Sequence, residues 1–157
     1  MKMEETISTD TVRPGKRLRF DNDTVYKVCR LVLYHDYPVE ARAKSVRRAV
    51  YKIGEDIFPY LFAVKRADIL AQSDYCREEK FHKLEEIHAI YERVIEERQC
   101  VSLHTLAVTG RDLIEAGMKP GPRLGKTLEK LLQIVLEYPE ENEKEKLLEH
   151  AKSFPEG

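Results

Sequence analysis

The strongest constraint in this chain is a helical apolar period, cut at intervals by Pro and Gly. Val25, Val28, Cys29 and Val32 fall at i, i+3, i+4 and i+7, the spacing that puts four side chains on one face of a helix. Val46, Ala49, Val50 and Ile53 repeat the pattern, as do Leu84, Ile87, Tyr91 and Val94, and then Leu124, Leu128, Leu131, Leu132 and Val135. Asp36-Tyr37-Pro38, Gly54 and Pro139 punctuate the pattern, because the residue before Pro avoids the helical region and Gly tolerates the turn after a helix. The predicted helices are Thr24–Tyr34 capped by Asp23, a second from Val39 or Ser45 to Ile53, a third with Pro59 in its first turn reaching Gln72, and a long one over Tyr75–Arg98. Three more follow: Asp112–Ala116, Arg123–Glu137, and a last one capped by Asn142 and running through Ala151. Val101–Val108 is the one weak strand candidate. The fold class is all-α, a multi-helix array.

With 157 residues and 42% hydrophobic content, the chain can bury a core as one domain or two small lobes. It contains no apolar run near the ~20 residues of a membrane span. Met1–Asp10 has no apolar stretch of the secretory kind. Cys29, Cys76 and Cys100 are odd in number and far apart, which suits a reducing cytoplasm and matches no zinc spacing. Net charge is −1, but Arg13–Lys52 carries 11 basic against 4 acidic residues, and Glu137–Gly157 carries 3 against 7. A basic third on a neutral chain fits a phosphate footprint, or a solvated helix face.

Three places carry candidate chemistry. His35-Asp36 follows an apolar helix, and one imidazole beside one carboxylate suits a divalent cation. Asp68, set among Ala67, Ile69, Leu70 and Ala71, is the best third ligand. The other reading makes His35 a helix C-cap and Asp68 a hydrogen-bonded acid or a partner for Arg47 or Arg48. Asp21-Asn22-Asp23 spells a metal-binding pair, but its position at a helix start favours capping. The third place is Gly117–Gly125, two short helices flanking a Gly/Pro turn with Lys119 and Arg123. Gly121 and Gly125 let a backbone approach a phosphate, and a helix N-terminus follows. The other reading is a plain helix–helix turn in which Gly125 permits close packing. His88, near an apolar stripe, reads as a core histidine.

Arg17–Asp36, Ser45–Ser73 and Leu106–Leu148 together resemble the C-terminal region of bacterial HD-domain-containing tRNA nucleotidyltransferases, of the CCA-adding and poly(A) polymerase type. The elements Gly110-x-Asp-Leu-Ile-x-x-Gly117 and Gly121-Pro-x-x-Gly125 are the most specific. The resemblance implies an HD-like body over 17–99 and a helical tail over 100–157, after a poorly ordered leader over 1–16. It implies tRNA or another structured RNA as partner, held by its backbone through Arg47, Arg48, Lys119, Gly121, Arg123 and Gly125. Catalytic carboxylates and Mg2+ would belong to a nucleotidyltransferase head, supplied separately. Glu55-Asp56 lacks the Arg of the family's nucleotide template. The alternative the resemblance implies is an HD-type metal-dependent phosphohydrolase, or its remnant, with His35, Asp36 and Asp68 as metal ligands.

Overall fold

The computed structural model describes residues 20–155. Among them are seven α-helices and two 3-10 turns, with no strand. They are α1 (Asn22–Tyr34), α2 (Ala43–Ile53), α3 (Phe58–Ala71), α4 (Arg77–Glu96), α5 (Gly110–Glu115), α6 (Pro122–Glu137) and α7 (Lys144–Ser153). The all-α expectation holds. The leader over 1–16 lies outside the described residues. The chain divides into two compact units that meet at Glu92/Arg93, within α4.

In the first unit, α1 and α2 both pack on α3. Asp21, not Asp23, caps α1: its carboxylate accepts from the Thr24 N–H at 2.9 Å and the Thr24 hydroxyl at 2.6 Å. Those two hydrogen bonds hold its pKa below the usual carboxylate value. Gly54 ends α2 with φ of 114°, a conformation that a Cβ would strain. The core is Val46, Ala49, Val50 and Ile53 of α2, Phe58, Leu61 and Ile69 of α3, and Leu84 and Ile87 of α4.

Two helices depart from the face their period predicts to be buried. No residue of α1 is buried, and Val28 and Val32 of its stripe are exposed. On α3 the inward series is Phe58, Leu61, Lys65, Ile69, and Asp68 is exposed. The period alone favours Leu61, Val64, Asp68 and Ala71. Ile69 buries more apolar area than Ala71 can, so the helix turns by one residue and draws Lys65 inward.

In the second unit α6 is central, packing against α5, α7 and both 3-10 turns. Leu131, Leu132, Val135 and Leu136 are fully buried, as are Leu113 of α5 and Leu147 of α7. The weak strand candidate forms a 3-10 turn at Leu103–Thr105 instead. Asn142 does not cap α7; it ties two loops, accepting from the Ala107 N–H at 2.8 Å and donating to the Thr105 carbonyl at 3.0 Å. None of the described helices is long and apolar enough to cross a membrane.

Candidate nucleic-acid interface

The turn between α5 and α6 is built by its own residues. Thr109 and Asp112 form a reciprocal cap at the start of α5, satisfying two N–H groups that a helix start leaves open. Asp112 also takes the Lys144 ammonium at 2.6 Å. The Lys144 and Thr109 hydrogen bonds together lower its pKa to about 2. At the other end, the Gly117 N–H donates to Ile114 and the Met118 N–H to Leu113. This is the two-bond helix stop that needs a left-handed residue, and Gly117 has φ of 104°. The chain then passes Lys119 and Pro120 to Gly121, with φ of 151°. Pro122 opens α6, and no side chain caps its first turn.

Two grooves flank this turn. One, of about 560 Å3, is lined by Met118, Lys119, Gly121, Arg123, Lys152 and Phe154 among others. The second, of about 420 Å3, is lined by Lys126, Thr127 and Lys130, with Pro122, Arg123 and Phe154 shared. Neither lining contains an acidic side chain. Lys119, Lys126 and Lys152 are exposed. The Lys130 ammonium stands 5.3 Å over the Phe154 ring. Two carboxylates of the acidic tail are engaged elsewhere: Glu143 pairs with Lys146 and Glu141 with His150. A Cβ at Gly121 or Gly125 would meet nothing within 4 Å. Gly125 therefore does not serve close helix packing. The glycine that does is Gly110, whose added Cβ would lie 3.0 Å from a Leu124 methyl; no sequence signal sets it apart from the others.

The remaining predicted residues sit in the first unit. Arg48 is exposed and Arg47 is not: only 4% of Arg47 reaches solvent, on the face that carries Val46 and Val50. Arg47 is thus part of the protein interior and is not placed to grip a polyanion. His35, Asp36 and Asp68 do line one cavity, of about 320 Å3. Several of their donor atoms already have partners. His35 Nδ1 lies 2.7 Å from the Val32 carbonyl and Nε2 3.0 Å from the Asp36 carboxylate. Asp68 accepts from the Gln72 amide at 2.8 Å. Three lysines, Lys65, Lys80 and Lys83, line the same cavity, and the Lys65 ammonium donates to the His35 and Tyr37 carbonyls at 3.1 Å each. Burial lowers the Lys65 pKa, and the charges of Asp36 and Asp68 oppose that shift. Among the described residues no three His, Cys, Asp or Glu side chains assemble as metal ligands. With its carboxylates facing an ammonium, this donor set does not fit a divalent cation. His88 is exposed beside Glu92; its ring lies 4.5 Å from that of Phe62, so it is no core histidine.

The helical array and the built Gly/Pro turn meet the sequence evidence in one place. The family model described as "tRNA nucleotidyltransferase domain 2 putative" matches residues 8–151. The chain belongs to that family. Neither the curated proteins nor the solved structures give a match.

Proposed function

We propose that this chain holds RNA, tRNA first among candidates, by its phosphate backbone, and that the grip lies at the turn between α5 and α6. The observation that carries this reading is the pair of grooves whose charged lining residues are all basic, set around an uncapped helix start. Backbone amides and lysines aimed at one groove suit a polyanion and read no sequence. The family's name points to tRNA. Arg48, exposed on α2, adds a second point of attachment in the first unit. Nucleotide transfer, with its Mg2+, is assigned to a nucleotidyltransferase head and not to these helices.

Fluorescence anisotropy with labelled tRNA across a salt series tests the grip. Lys119→Ala/Arg123→Ala weakens binding, and the slope of log K against log salt becomes shallower by about one for each phosphate that is no longer neutralised. An unchanged slope rejects the site. Incorporation of CMP or AMP onto tRNA by the purified chain alone rejects the assignment of transfer to that head. The phosphohydrolase alternative rests only on the shared cavity of His35, Asp36 and Asp68; stoichiometric manganese binding by calorimetry, lost in Asp68→Asn, would bring it forward.

A further inference from the structure

We infer that Phe154 is a stacking platform, so that the tail grips an unpaired stretch of RNA and not a duplex. This deepens the backbone-binding reading and rests on it. Pro122, Arg123 and Phe154 line both grooves and so form the wall between them. Phe154 is half-buried, and it lines both grooves. On one side the Lys130 ammonium lies over the ring, an arrangement that holds it in place. The larger groove, about 560 Å3, falls within the ~300–1,000 Å3 of sites that enclose a small ligand. Lys119, Arg123 and Lys152 stand around that groove with no carboxylate among its lining.

An aromatic face ringed by cations takes successive nucleotides of a single strand, the base on the ring and the phosphates on the lysines. A paired helix keeps its bases stacked inside and offers only phosphates and sugar hydroxyls. Pro155, next along the chain, also lines the second groove, so the segment bearing Phe154 is itself part of the surface.

The chain contains no tryptophan, so Phe154→Trp installs a single reporter. It is titrated with a single-stranded RNA oligonucleotide, with the same oligonucleotide carrying abasic residues, and with a blunt duplex. Tryptophan emission is expected to be quenched by the single strand and unchanged by the other two. Phe154→Leu, which keeps an apolar side chain, is expected to lose roughly 5- to 100-fold in affinity for the single strand while keeping its affinity for the duplex and its helical circular dichroism. Binding of the single strand without quenching, or full affinity in Phe154→Leu, overturns the inference and leaves the backbone grip standing. Failure of wild-type protein to bind any of the three RNAs overturns both.

Discussion

The two units use their basic residues in opposite ways. In the first, three cations, Arg30, Lys65 and Arg77, turn to the ends of the protein's own helices. The Arg30 guanidinium donates to the Lys52 and Ile53 carbonyls at the end of α2, at 3.0 and 2.6 Å. Arg77 donates to the Gln72 carbonyl that ends α3 at 2.9 Å, and Lys65 takes the carbonyls that follow α1. These are the orphan acceptors every helix end leaves open, where positive charge is favourable. In the second unit, Lys119, Lys126 and Lys152 stand exposed around two grooves without an acid in their linings. A count of charges along the chain places the basic excess in the N-terminal third. Of the described basic residues in that third, Arg30 and Arg47 are turned to the protein itself, and the two grooves without an acid in their lining belong to the tail.

Several substitutions sharpen or break this contrast. The largest effect is expected in the tail: Lys119→Ala/Lys126→Ala/Lys152→Ala lowers tRNA affinity at least roughly tenfold at low salt and leaves thermal stability unchanged. Arg30→Ala is the mirror case. It destabilises the first unit by about 1–2 kcal/mol in urea denaturation, through removal of a charged donor shared by two carbonyls, with tRNA affinity unaltered. Equal loss of RNA binding in Arg30→Ala would erase the distinction between the units.

Acid titration probes the tail by a different route. The folded pKa of Asp112, about 2, lies below its ordinary 3.8. A depressed carboxylate pKa adds stability that is complete above the unfolded value and is lost as protons bind on the way down to the folded one. The tail is therefore expected to lose stability between about pH 4 and pH 2, and Asp112→Asn to flatten that dependence in thermal melts. The smallest effect is expected at Gly125. An added Cβ there meets nothing within 4 Å, and Gly125→Ala in the first turns of α6 stabilises by about 0.4–1 kcal/mol. If Gly125→Ala also weakens tRNA binding, Gly125 is a point of close phosphate approach; if not, Gly121 alone serves that role.

Helix existence and order are legible in the sequence because the stripes repeat at helical spacing and four of the six breaks between the described helices carry Pro or Gly. What is not legible turns on competition between faces. On α3 the choice between Ile69 and Asp68 depends on what packs opposite, which the local period does not state. The end of α4 is hidden for another reason. The chain leaves that helix through Arg98 at φ of 50°, with the Gln99 N–H returning to the Val94 carbonyl, a stop that usually advertises itself with Gly. The tail turn is readable because its glycines sit where positive φ is needed, Gly117 and Gly121. Phe154 escapes a sequence reading: one aromatic near a polar C-terminus gives no signal until α6 and α7 bring it beside the turn. Arg47 misleads because a basic residue on an apolar face looks the same in sequence whether it snorkels outward or stays buried.

Differential lysine labelling tests the central claim most directly. The protein is acetylated briefly with and without tRNA, and each lysine is quantified by mass spectrometry. Protection is expected at Lys119, Lys126 and Lys152, with Lys65, engaged on its own backbone, labelled equally in both samples. Protection confined to residues 20–92, or tail lysines that label at the same rate with tRNA bound, would contradict the account.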